Sequence, residues 1–147
     1  MMLRIVLTIG ISLLGALAVA DPGLEKPEFS RPDSRSWVVM VTQPTCSFCT
    51  RLEKEILQPL RASGQFADRV RFTTVDIGVA GPLVDFDGSR TTTTQFANRY
   101  QGFGTPTLLF LSPAGDVLAP PKFGVPDIID FYAYEIEETI RGLPPVN

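Results

Sequence analysis

The sequence predicts an α/β fold, a mixed four-stranded sheet flanked by helices in the order β-α-β-α-β-β-α. Three observations carry this expectation. Apolar runs of strand length (residues 36–42, 70–77 and 107–111) alternate with stretches whose apolar residues recur at helical spacing. The helical crossover between the first two strands calls for a parallel, right-handed pair. Only the turn Ser112-Pro113-Ala114-Gly115-Asp116 separates the third strand from the fourth, which calls for an antiparallel hairpin.

The N-terminus is set apart from this pattern. Residues 1–20 carry a single charge, Arg4, then a short apolar run that ends in Ala18-Val19-Ala20 before Asp21-Pro22. This is the pattern of a secretory signal peptide cleaved near Ala20. A retained membrane anchor is the other reading, but the run is short for a span of about 20 residues. Cleavage leaves 127 of the 147 residues, and losing Arg4 takes the formal charge from −3 to −4. That is one domain, expected to be periplasmic or secreted. Its acidic balance, with no basic run, argues against nucleic acid and against an anionic membrane surface.

The remaining elements follow in order. Residues 21–35 are polar, with Pro22, Pro27 and Pro32, and read as an extended lead. Trp37 to Val41 form a buried strand. Gln43-Pro44-Thr45 makes a turn, with Thr45 as the expected N-cap. Cys49, Leu52, Ile56 and Leu60 then recur at helical spacing, and Pro59 is expected to kink or end that helix near Leu57. A second short helical stretch is expected as far as Phe66. Residues 70–77 are the second strand, and residues 78–90 a long irregular link. Asp85-Phe86-Asp87-Gly88 lacks the ligand spacing of a calcium loop and reads as a turn.

Residues 91–100 read as a short helix capped by a threonine, with Phe96 and Tyr100 inward. Residues 107–111 are the third strand. Val117 to Ala119 begin the fourth, which Pro120-Pro121 would break unless it lies at a sheet edge. Pro126 is expected in the first turn of the last helix, whose buried stripe is Ile129, Ala133, Ile136 and Ile140. The domain is therefore expected over residues 36–143, with 144–147 as a short tail.

The chemistry centres on Pro44-Thr45-Cys46-Ser47-Phe48-Cys49, which holds the only two cysteines of the chain. The strand–turn–helix layout puts Cys46 at a helix N-terminus, where unpaired N–H groups favour a thiolate by up to about 2 kcal/mol. That shift takes a thiol from about 8.5 to near 7. Cys49 lies one turn on, close enough to close a disulfide. A purely structural bridge is the plainer reading in an oxidising compartment. It is a weak staple, because a four-residue loop gains only about 1.9 kcal/mol in the chain-entropy model.

With C-x-x-C opening the first helix and Gly104-Thr105-Pro106-Thr107 opening the third strand, the chain resembles the thioredoxin superfamily over nearly its whole mature length. The resemblance implies a thioredoxin fold. It implies Cys46 as nucleophile and Cys49 as resolving thiol, joined as a redox disulfide. It implies a cis peptide bond at Pro106, and a loop with Thr105 that receives the substrate backbone. A narrower likeness is to exported thioredoxin-like proteins with C-x-[YF]-C, including those of bacterial sulfur-oxidation systems. Cys46-Ser47-Phe48-Cys49 with Leu52-Glu53, residues 85–88 and residues 100–107 carry it.

The departures bear on direction. Thioredoxins proper have Trp before the first cysteine, where this chain has Thr45, and Gly-Pro between the cysteines in place of Ser47-Phe48. They carry a buried Asp six residues before the first cysteine, where this chain has Met40. Strong oxidants of the family often have a histidine between the cysteines, and this chain has none. Residues 21–35 are too few for the extra N-terminal strand and helix of full-length thioredoxin.

The resulting expectation is an exported thiol–disulfide oxidoreductase that reduces disulfides of partner proteins. It is expected to be a monomer without cofactor or metal, supplied with electrons by a membrane thiol-relay protein. Phe48 and Phe103 each read either as an apolar contact for the partner or as packed beneath the Pro106 loop, with core packing favoured for Phe103. Glu53 reads as a solvated surface residue and Asp76 as a strand-end turn residue, neither as a catalytic base. Three other functions fit the same residues less well. They are a binding module with a structural disulfide, a dithiol oxidase or isomerase, and a two-thiolate Cu(I) carrier. Hydrolase chemistry lacks a histidine to serve a nucleophile.

Overall fold

The computed structural model describes residues 28–145. The signal-peptide pattern and the first part of the lead lie outside the described residues, as do residues 146–147. Strand β1 (Ser36–Thr42) forms the centre of a four-stranded sheet. It pairs in parallel with β2 (Val70–Asp76) and antiparallel with β5 (Thr107–Leu111). Strand β6 (Val117–Phe123) pairs with β5, giving the order β2-β1-β5-β6. The pleat of β1 sends successive side chains to opposite faces, and both faces are covered. Val38 and Met40 join one core with Leu52, Ile56, Leu108 and Ile136. Trp37, Val39 and Val41 join a second core with Val75, Phe96 and Leu109. This is the mixed four-stranded α/β sheet expected from the sequence.

The first helix does not stop at Pro59. It runs as α1 (Ser47–Leu52), a π-helical turn (Glu53–Leu57) and α2 (Gln58–Ser63). Pro59 falls in the first turn of α2, directly after the widened turn. A proline in a regular helix lacks one N–H and presses on the carbonyl four residues back. The wider π turn takes up that mismatch without ending the helix. The helix ends at Gly64, whose left-handed φ of 68° closes the final turn. No further helix reaches Phe66.

The link is not irregular throughout. Strands β3 (Pro82–Val84) and β4 (Arg90–Thr92) form a separate two-stranded hairpin. Residues 85–88 are its turn, with Gly88 N–H donating to the Asp85 carbonyl at 3.0 Å. Residue Glu28 of the lead bridges to Val84, and Phe29 is buried between Trp37, Phe86 and Phe96. Helix α3 (Thr93–Arg99) starts from Thr92, which forms a capping box with Gln95. Phe96 and Tyr100 point inward, as the spacing required.

Strand β6 tolerates Pro120-Pro121 because it is a sheet edge, where a missing N–H costs no ladder bond. Its pairing with β5 shifts register around Phe110. Helix α4 (Ile129–Gly142) begins three residues beyond Pro126. Its fully buried positions are Tyr132, Ile136 and Ile140, with Ile129 and Ala133 half-buried beside them. Gly115, at φ 92°, lies so close to the Phe86 ring that an added Cβ would meet it at 2.5 Å. No helix among the described residues is long and apolar enough to cross a membrane.

Candidate active site

Strand β1 ends at Thr42, and the chain turns through Gln43–Thr45 into α1. Cys46, not Thr45, is the N-cap. Its backbone is extended, its carbonyl accepts from Thr50 N–H, and its Sγ accepts from Cys49 N–H at 3.0 Å. Sulfur thus takes the place usually held by a serine or aspartate oxygen. The cap falls here because Cys46 N–H already closes the preceding turn onto the Gln43 carbonyl. Cys46 and Cys49 form a disulfide. Cys46 is 9 % exposed and Cys49 3 %, so the first cysteine is the more exposed residue of the two.

The Thr105–Pro106 peptide bond is cis. Register places this loop at the same end of the sheet as Cys46, since Val41 faces Thr107 across β1 and β5. Two bonds hold the loop from below. Thr107 Oγ1 donates to the Gly104 carbonyl at 2.7 Å, and Gly124 N–H donates to the Pro106 carbonyl at 2.8 Å. Pro106 itself is buried and Thr105 half-buried.

Phe48 is 55 % exposed, so it does not pack beneath the Pro106 loop. Phe103 is 72 % exposed, which overturns its expected place in the core. The reason is positional. The tight turn after α3, with Gln101 at a φ of 61°, sends Gly102 against Val41 and leaves the next residue outside. Sequence reasoning could not separate these two phenylalanines from buried ones, because residue type alone favours burial.

A cleft of about 310 Å³ opens beside the disulfide. Met40, Cys46, Cys49, Glu53, Lys54 and Asp76 are among the residues lining it. Glu53 is not simply a solvated surface residue, because both its oxygens bond to the Arg61 guanidinium. Asp76 is the strand-end residue expected, with Oδ1 accepting from Gly78 N–H at 2.8 Å. Met40 occupies the cleft floor as an almost fully buried thioether. No group of metal-ligating side chains is present among the described residues.

A four-stranded mixed sheet, a C-x-x-C disulfide at the head of its first helix and a cis-proline loop at the same sheet end together define a thioredoxin-fold protein. The chain belongs to the thioredoxin-like domain family, whose sequence profile matches residues 28–122. A search among curated proteins found no match. Solved structures that share the fold include the following three. The DsbH oxidoreductase is 15 % identical with a TM-score of 0.57, over 91 % of this chain and 96 % of that one. A thioredoxin-fold protein from Helicobacter pylori is 14 % identical with a TM-score of 0.55, over 75 % and 84 %. A thioredoxin-like protein from Clostridium perfringens is 13 % identical with a TM-score of 0.53, over 93 % and 96 %.

Proposed function

We propose that this protein is an exported thiol–disulfide oxidoreductase that reduces disulfides in partner proteins. The observation that supports it best is the position of Cys46. Its sulfur is the N-cap of the helix and accepts a backbone N–H, and it is the more exposed member of the pair. A thiolate formed there keeps that hydrogen bond and gains from the helix dipole.

In the reducing direction, the Cys46 thiolate attacks one sulfur of the substrate disulfide and expels the other as a thiolate, which takes a proton from solvent. The substrate backbone lies along Thr105-Pro106, and exposed Phe48 offers an apolar contact beside the mixed disulfide. Cys49 then attacks Cys46 Sγ. The inter-protein S–S bond breaks, the Cys46–Cys49 disulfide forms, and the second substrate thiol leaves. The two electrons come from the dithiol, so each cycle needs re-reduction. In an oxidising compartment a membrane thiol-relay protein is the donor this chemistry requires. The lack of any histidine to stabilise the thiolate further, together with the likeness to sulfur-oxidation thioredoxins, favours reduction over oxidation.

The test is the equilibrium potential of the Cys46–Cys49 pair against a glutathione series. A value below about −230 mV supports the reductase reading, and one near −120 mV makes the protein an oxidant. A pair that no mild reductant opens would leave a binding module stapled by a structural disulfide.

A further inference from the structure

The resolving step requires Cys49 to lose a proton while it is nearly inaccessible to bulk solvent. Met40, the apolar residue on the cleft floor, cannot take it. The Lys54 ammonium carries donors and no acceptor. Two carboxylates line the same cleft, Glu53 and Asp76. Asp76 lies on β2, across the cleft, with one oxygen committed to Gly78 N–H. Glu53 follows Cys49 by one helical turn, its own N–H donating to the Cys49 carbonyl. Residues four apart on a helix face each other with Cβ atoms about 5–6 Å apart.

The π turn explains how Glu53 is held there. Residues eight apart on a regular α-helix point about 80° away from each other. The π turn from Glu53 to Leu57 absorbs one extra residue, so Glu53 and Arg61 are spaced as if seven apart, about 20° out of line. The Arg61 guanidinium accordingly reaches back over two turns and grips both carboxylate oxygens. Both side chains are largely withdrawn from solvent.

We propose that Glu53 accepts the Cys49 proton in the resolving step, and that Arg61, brought into line by the π turn, is its positioning residue. This rests on the dithiol reading of the site. The step balances. The Cys49 S–H proton passes to the Glu53 carboxylate one helical turn away, and the sulfur's electron pair forms the bond to Cys46 Sγ. The mixed disulfide breaks, and its electrons leave on the substrate thiolate. Glu53 then returns the proton to that thiolate or to solvent.

The experiment uses the reduced protein mixed with one equivalent of 5,5′-dithiobis(2-nitrobenzoate), followed by stopped-flow absorbance. The first release of nitrothiobenzoate reports attack by Cys46, and the second reports resolution by Cys49. With Glu53→Gln the first phase is expected to be unchanged. The second should slow by about tenfold or more at pH 6.5, at or below the usual 10²–10⁴ span of general-base effects. It should then climb about tenfold per pH unit towards the ordinary thiol range near 8.5, because the thiolate must form without help. Arg61→Met should slow the second phase by a smaller factor. A second phase within twofold of wild type for Glu53→Gln at every pH would overturn the proposal. So would a slow second phase in Asp76→Asn with none in Glu53→Gln. Absence of both phases in the reduced wild-type protein would instead remove the dithiol reading.

Discussion

The N–H of Cys49 donates to Sγ of Cys46 at 3.0 Å, so the helix caps itself with the sulfur of its disulfide partner. In the reduced protein this arrangement predicts two unequal thiols. Alkylation of Cys46 by iodoacetamide should show a pH midpoint below the ordinary thiol value of about 8.5. Cys49, three times less exposed by fraction, should alkylate at least about tenfold more slowly at pH 7. Peptide mapping after timed quenching measures both. Equal rates at the two positions would show that the cap contributes nothing to reactivity.

Phe48 is predicted to act in recognition and not in stability. An exposed side chain changed to serine should move the unfolding free energy by no more than about 0.5 kcal/mol. Reduction of a protein disulfide by Phe48→Ser should fall about fivefold, the loss of roughly 1 kcal/mol of contact. Reduction of a small disulfide such as hydroxyethyl disulfide should stay within twofold. An equal fall for both substrates would place the effect on the thiols.

Phe29 anchors the segment before β1. It stacks on Phe96 with centroids 4.6 Å apart and meets Trp37 edge-on at 4.9 Å. Phe29→Ala should cost about 3–5 kcal/mol in urea unfolding, the range for truncating a buried aromatic. A cost under about 0.5 kcal/mol would mean that residues 28–35 are only a tether.

Tyr132 predicts an alkaline weakness. Burial pushes its phenol up to about 12, from an ordinary value of 10.0, and its hydroxyl is buried with no hydrogen-bond partner. An acid whose folded value is raised holds its proton longer in the folded state. Stability is therefore unaffected below pH 10 and falls as pH rises from about 10 towards about 12, where the unfolded tyrosine ionises first. Tyr132→Phe should flatten that fall in urea midpoints measured between pH 8 and 11. At pH 7 it should be neutral or stabilise by about 1 kcal/mol, since it removes an unpaired buried group.

Asp33 predicts an acid weakness of opposite sign. Hydrogen bonds from the Arg35 guanidinium, outweighing partial burial, hold its carboxyl below the usual value of 3.8. The unfolded state therefore takes up the proton first as pH falls. The pair's contribution is complete above about pH 5 and is lost as pH falls through 3.8 towards the lower folded value. The pair is partly exposed, so Asp33→Asn should cost only about 1 kcal/mol at neutral pH. Its stability should also decline less than wild type below pH 4.

Much of the architecture was legible in the chain. Strands β1 and β5 and the threonine cap of α3 lie where the apolar runs and Thr91-Thr92-Thr93-Thr94 put them. The reason is that side-chain period and capping chemistry are local properties. The same holds for the head of α1, where two cysteines, a preceding strand and a following helical stripe locate the reactive pair without any tertiary information. The misses share a different cause. The β3–β4 hairpin is two three-residue strands with no alternation to read, and its partners lie far along the chain: Leu83 is buried in the second core, and Asp85 meets Arg99 at 2.7 Å. Pro59 signals a kink or an end near Leu57, and local rules cannot choose between them; a π turn ending at Leu57 lets the helix pass.

By itself, then, the sequence determined the order of elements, the buried faces of the central strands and the identity of the thiol pair, because each follows from neighbours within a turn or two. Tertiary structure alone decided the rest. It buried Phe29 and left Phe48 and Phe103 outside, because burial depends on partners far along the chain. It also brought Asp76 to the cleft that Cys49 and Glu53 line, and set Arg61 against Glu53. That juxtaposition depends on the β1–β2 register and on one extra residue in a helical turn, neither of which any residue's own chemistry announces.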